Sequence, residues 1–142
     1  MDLSTQLVKP TQSNEEEESK TKLQKKMKCH NRRETPKVTL TTKCHCWQCN
    51  KQSGGIWCSA QVSEDHLEIT GEVKWFEASE TARRGFCPRC GSFLFWKAHD
   101  ETTISFALGA IDGPTGLKLS KHIFVAEKGD YYEIADGVPQ ED

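Results

Sequence analysis

Residues 70–97, TGEVKWFEASETARRGFCPRCGSFLFWK, read as strand, loop, knuckle and strand. Val73–Glu77 and Ser92–Lys97 are short runs rich in Val, Trp and Phe, the composition of half-buried β-strands. Gly71 and Gly85 read as turn signals. Between the runs, Cys87-Pro88-Arg89-Cys90-Gly91 places two sulfurs on one tight turn. Pro88 helps fix that turn, and Gly91 lets the backbone fold back beneath a metal ion.

The same pattern extends in both directions. Val38–Lys43, Ile56–Val62, Leu67–Thr70, Thr102–Ala110 and His122–Ala126 are further short runs of Ile, Val, Phe, Trp and Thr. Turn signals separate them: Gly54-Gly55, His99-Asp100-Glu101, Asp112-Gly113-Pro114, Gly116 and Gly129-Asp130. Ser63-Glu64-Asp65-His66 reads as one helical turn capped by Ser63. No window carries a long apolar stripe of helical period, so the expected class is all-β, with small antiparallel sheets. A core this small gains from a metal staple.

Residues 1–36 differ in kind. Glu15 to Glu18 form an acidic run, a basic stretch from Lys20 to Lys28 follows, and apolar residues are few. Such a segment cannot offset its ordering entropy by burial and is expected to be a disordered charged tail. The domain is expected over residues 37–134, with 135–142 a C-terminal coil. Residues 1–43 carry ten Lys/Arg and six Asp/Glu, a net +4, against a whole-chain charge of −2, so the cysteine-bearing body is acidic. That balance argues against a nucleic-acid surface on the body. No run approaches the roughly 20 apolar residues of a membrane span, and the first residues hold no apolar stretch of the kind found in a secretory leader. A reducing, cytoplasmic setting is therefore expected, where clustered cysteines signal metal or catalysis.

Five of the seven cysteines sit in two clusters, Cys44-His45-Cys46-Trp47-Gln48-Cys49 and Cys87–Cys90. Zinc favours thiolates in tetrahedral array. Two groupings satisfy the spacing. Cys46, Cys49, Cys87 and Cys90 would close one zinc ribbon. Alternatively, Cys44, Cys46 and Cys49 hold their own ion with a fourth position open for water or substrate, the layout of a catalytic site. His45, between two ligands on an extended segment, is expected to point to the opposite face. Cys58 is read as a small buried hydrophobe.

CHCWQC, GGIW, the 70–97 stretch and ISFALGAIDGPTGLKLSKHIF together resemble the glutathione-dependent formaldehyde-activating family, also called GFA or centromere-protein-V-like, over roughly Lys43 to Tyr132. The resemblance implies a tent-like β fold and one or two zinc ions. It implies Cys44, Cys46 and Cys49 as ligands of an open, catalytic zinc, with Cys87 and Cys90 on a structural one. The implied reaction is addition of glutathione, or a related thiol, to formaldehyde or another small aldehyde, giving S-hydroxymethylglutathione: a carbon–sulfur lyase acting in reverse. The other reading in this family is a non-catalytic zinc module that docks a protein or chromatin partner. The family's N-terminal GxCxCGxVxY motif is altered here to Cys29-His30-Asn31-Arg32. Cys29 and His30 are thus the candidates to complete the structural site. Glutathione carries two carboxylates, and Arg83 and Arg84 are the candidates to hold them. Gly54 and Gly55 are candidates for backbone approach to the ligand, and Asp112 and His122 for support of the site.

Overall fold

The computed structural model describes residues 27–28, as backbone, and 38–142. Ten elements follow in chain order: β1 (Met27–Lys28), β2 (Leu40–Cys44), helix α1 (Trp47–Ser53), β3 (Trp57–Ser63), β4 (Glu68–Ile69), β5 (Lys74–Glu77), β6 (Ala82–Phe86), β7 (Phe93–Ala98), β8 (Thr103–Ala107) and β9 (Lys121–Ile123). Seven strands form one sheet in the order β5-β6-β7-β8-β3-β2-β9, and β1 pairs with β4 alone. The all-β class read from the sequence is the class observed. No helix among the described residues is long and apolar enough to cross a membrane.

The sheet is antiparallel except at one edge, where β9 runs parallel to β2, with Thr42 opposite Lys121 and Cys44 opposite Ile123. A parallel neighbour needs a crossover connection. Residues 108–120 supply it, turning at Gly113 (φ 80°) and Gly116 (φ 66°). This one parallel pair sits beside the antiparallel pairing expected from the sequence.

Strand alternation divides the molecule into two faces. On one, Ala60 and Val62 of β3, Phe95 of β7 and Ile104 and Phe106 of β8 form a buried core. On the other, the same strands present Ser59, Gln61, Trp96 and Ser105, and together with Thr42 these line a cavity of about 440 Å³. Small polar side chains where a core would need Val or Leu leave that space unfilled.

Two elements depart from the sequence reading. Gly85 is a mid-strand position of β6, opposite Trp75 and Phe95, and not a turn. A Cβ there would stand 2.9 Å from Val73 Cγ1 and 3.1 Å from Trp75 and Phe95. The glycine permits close packing of neighbouring side chains, and the charges of Arg83 and Arg84 hid the strand. The second is α1, a polar run in which only Cys49 is buried, so no apolar stripe announced it. It ends where Gly54 adopts φ 76° and donates its N–H to Asn50 O. The expected turn after Ser63 forms as a 3-10 turn over Glu64–His66, without a side-chain cap bond.

Within the stretch expected to be a tail, Met27 and Lys28 pair with Ile69 and Glu68. The rest of residues 1–36 lies outside the described residues. The C-terminal segment has little regular structure, yet its backbone is tied to β9. His122 N donates to Pro139 O (2.8 Å) and Glu141 N to His122 O (3.0 Å).

Candidate metal centre

β2 delivers Cys44 at its end, the chain turns through Cys46, and the first turn of α1 brings Cys49 back. Cys46 Sγ accepts the Cys49 N–H at 3.4 Å and so caps the helix. The three sulfurs all lie within 4.8 Å of one another. Zinc–thiolate bonds of about 2.3 Å in tetrahedral array place sulfurs roughly 3.8 Å apart, so this trio fits one ion with little adjustment. Among the described residues no other group of three or more metal-ligating side chains converges. Cys87 and Cys90 do not join the trio, and the single-ribbon grouping is therefore not formed. The sheet keeps the clusters apart, because β6 leads to the knuckle while β2 ends at the trio.

All three cysteines line the cavity, together with Trp47, Trp57, Trp96 and Phe124. Trp57 stacks on Phe93 with ring centroids 4.2 Å apart. Phe124 holds φ 55°, the one non-glycine in left-handed backbone among the described residues. This bend, costly for a residue with a Cβ, turns the chain out of β9 at the cavity.

Arg84 reaches the trio from β6. It is buried (5 % exposed). Its Nη1 donates to Cys49 Sγ at 3.6 Å and to Gln52 Oε1 at 3.0 Å, and its Nη2 to Gln48 Oε1 at 2.9 Å. Gln48 and Gln52 stand one turn apart on α1, so the guanidinium fork bridges helix and cluster. Arg83, the next residue on the strand, faces the other way and lies over the Trp75 ring at 4.4 Å. Of the residues lining the cavity only Arg84 is cationic; Arg83, Gly54 and Gly55 are not on the lining. Gly54 serves as the helix cap, and Asp112 sits exposed in the crossover connection.

The electrostatics follow. The hydrogen bond from the Cys44 thiol to Cys49 raises Cys44 well above the ordinary thiol range, and burial adds to this. The same bond, followed by Arg84, draws Cys49 down from 9.0 to about 6. Cys49 is thereby the more acidic of the two sulfurs, favoured first by the Cys44 S–H and then by the buried cation.

His45 is fully buried and turned away from the sulfurs. Its Nε2 lies 2.8 Å from His122 Nδ1, and its Nδ1 2.5 Å from Tyr132 Oη. His122 Nε2 reaches the Asp136 carboxylate at 3.0 and 3.1 Å. Burial, then the neighbouring His122, lowers the His45 pKa. The Val138 N–H, then His122 and Lys43, lower that of Asp136. Tyr132 and Asp136 gave no signal in the sequence, since neither belongs to a cluster.

The knuckle has its expected shape. Gly91 N donates to Cys87 O at 2.8 Å and Cys87 N to Ser92 O at 2.9 Å. Cys87 is buried, whereas Cys90 is exposed and its sulfur lies 3.0 Å from Ser92 Oγ. These two sulfurs have no third ligand among the described residues, and Cys29 and His30 lie outside them. Cys58 is half-buried on β3, its thiol pushed up by burial.

A family model described as glutathione-dependent formaldehyde-activating enzyme matches residues 18–127. The chain belongs to this family. No curated protein matches the chain. The family match spans both cysteine clusters, the cavity strands and Arg84, and it ends before Tyr132 and Asp136.

Proposed function

We propose that the chain is a zinc-dependent carbon–sulfur lyase of the formaldehyde-activating type, joining glutathione or a related small thiol to formaldehyde or a similar aldehyde. The observation that carries this reading is the placement of three converging cysteine sulfurs on the wall of an apolar cavity. Cys44, Cys46 and Cys49 would hold the zinc. When bound, zinc supplies a positive charge that favours an incoming thiol as its thiolate and polarises a carbonyl oxygen. In the reaction the thiol sulfur bonds to the carbonyl carbon, the carbon–oxygen π bond opens, and the oxygen takes up the proton that the thiol gave up.

The chain's own residues support this in three ways. Arg84 offsets the negative charge of the cysteine thiolates, so that a further anionic sulfur meets less repulsion. Trp57, Trp96 and Phe124 wall the cavity with rings, which limits water around the reacting groups. Ser59, Ser105 and Thr42 supply hydroxyls to the same space, suited to an oxygen that gains charge as the carbonyl opens. Cys87 and Cys90, with Cys29 and His30, would hold a second, structural zinc. A reducing cytoplasm suits every one of these thiols.

Formation of S-hydroxymethylglutathione from formaldehyde and glutathione, followed by NMR, tests the reading. The zinc-loaded protein accelerates it above the uncatalysed rate, and Cys44→Ser abolishes the acceleration. Equal rates with and without protein refute it.

A further inference from the structure

Behind the cysteine trio lies a polar chain that the proposed reaction does not use, buried at its two histidines and reaching the surface at Asp136. It runs from Tyr132 through His45 and His122 to Asp136. The two end residues belong to the segment beyond the family-matched region.

The chain has a defined polarity. A carboxylate only accepts, so His122 Nε2–H donates to Asp136. With both imidazoles neutral, His122 Nδ1 is then an acceptor and takes the His45 Nε2–H. His45 Nδ1 is left as an acceptor and receives the Tyr132 O–H. One carboxylate thereby fixes two tautomers and two ring orientations. Lys43 Nζ holds the same carboxylate at 3.4 Å, and the Val138 N–H bonds Asp136 Oδ1 at 3.2 Å.

The position of His45 makes this consequential. It lies between Cys44 and Cys46, and its backbone N–H donates to Ile123 O at 3.0 Å. Locking its ring on one side of the extended segment fixes the direction in which the flanking sulfurs leave on the other. The helix that carries Cys49 is reached both by the last family-matched residue, Glu127, and by Tyr131 of the segment beyond it. Glu127 Oε2 accepts the Trp47 N–H at 2.9 Å, and Tyr131 Oη accepts from Asn50 Nδ2 at 3.0 Å.

We propose that Asp136 and Tyr132, acting through His122 and His45, are positioning residues of the metal centre, and that the segment outside the family-matched region is a working part of that centre. This rests on the reading that Cys44, Cys46 and Cys49 hold the ion. Groups bonded directly to a metal's ligands typically change affinity about 10- to 100-fold when removed; here the link runs through His45 and the backbone it shares with Cys44 and Cys46, so a smaller effect of the same sign is expected.

The test uses the full chain loaded with cobalt as a spectroscopic stand-in for zinc, at a temperature where circular dichroism shows each variant folded. Metal affinity is measured by chelator competition, and ligand geometry by the visible absorption of cobalt. Asp136→Ala and Tyr132→Phe each weaken affinity by more than about twofold and alter the cobalt bands. Asp136→Asn, whose amide oxygen still accepts from His122, restores most of both. Glu141→Ala removes the exposed Lys121–Glu141 pair (2.6 Å) that also fastens this segment, and leaves both unchanged. Affinities within twofold of the parent with unaltered spectra overturn the proposal, as does an equal loss in Glu141→Ala. A parent chain that binds no cobalt at the trio refutes the underlying metal reading, and this proposal with it. Normal uptake with unresponsive variants refutes the positioning role alone.

Discussion

Replacing Arg84 with methionine removes the buried cation beside the cysteine trio while keeping a side chain of similar length. At the observed 3.6 Å between Nη1 and Cys49 Sγ, Coulomb's law with an effective dielectric constant of about 20 gives an upper bound of about 4–5 kcal/mol for the pair. Water entering the vacated space and residual S–H···S bonding recover part of this, so about 2 kcal/mol of thiolate stabilisation is expected to be lost, roughly a 30-fold shift in the ionisation equilibrium. The sign is fixed by the direction of the perturbation. Cys49 lies below its ordinary value, at about 6, so its thiolate grows in as pH rises through that value. Without Arg84 the rise moves to higher pH. The assay is iodoacetamide labelling of the metal-free protein, with Cys49 followed by peptide mass spectrometry from pH 5 to 9. At pH 6 the variant is labelled about 10- to 30-fold more slowly than the parent, and Arg84→Lys falls between the two because it keeps the charge but not the fork. Equal labelling profiles for parent and Arg84→Met would show that the guanidinium does not stabilise the sulfur.

Other consequences are equally direct. Gly85→Ala places a Cβ 2.9 Å from Val73 Cγ1 and lowers stability by about 1–3 kcal/mol, read by urea unfolding; an unchanged midpoint contradicts the close packing of β6. Phe95→Ala empties the centre of the dry core at a cost of about 3–5 kcal/mol, measured in the same way. Ser105→Phe fills the cavity from β8, and it is expected to abolish thiol–aldehyde addition while retaining bound zinc; full activity would place the reaction elsewhere. Zinc affinity falls throughout as pH drops from neutrality, because the ion must displace the proton that the Cys44 thiol retains, and it falls more steeply below about 6, where Cys49 is protonated as well. A competition titration that is flat from pH 7.5 to 5.5 contradicts this.

The strands were legible where β-branched and aromatic residues alternate between turn signals, as at Ile56–Val62 and Ser92–Lys97. They were hidden where function altered the composition. β6 carries Arg84 for the cluster and Gly85 for close packing, and both make a strand look like a loop. α1 was invisible because it exists to return Cys49 to Cys44 and Cys46, with no core face to bury. The trio itself was legible from spacing, since residues two and three apart on a turn can share an ion. Spacing alone left open whether Cys87 and Cys90 shared it, and the strand order keeps them out. Arg83 and Arg84 were equivalent in sequence, and strand alternation separates them. Tyr132 and Asp136 could not be found from spacing, because both lie far along the chain from His45: Tyr132 meets it directly, and Asp136 reaches it through His122 on the parallel edge that β9 makes with β2.

The central claim is that Cys44, Cys46 and Cys49 bind one ion and leave a position for a thiol. The most direct measurement is the change in sulfur-to-metal charge-transfer absorption when glutathione is added to the cobalt-loaded protein. The expected result is an increase of about one third in the signal that Cys44→Ser removes, as three sulfur ligands become four. A signal that glutathione leaves unchanged, or one already showing four sulfur ligands before it is added, would contradict the account.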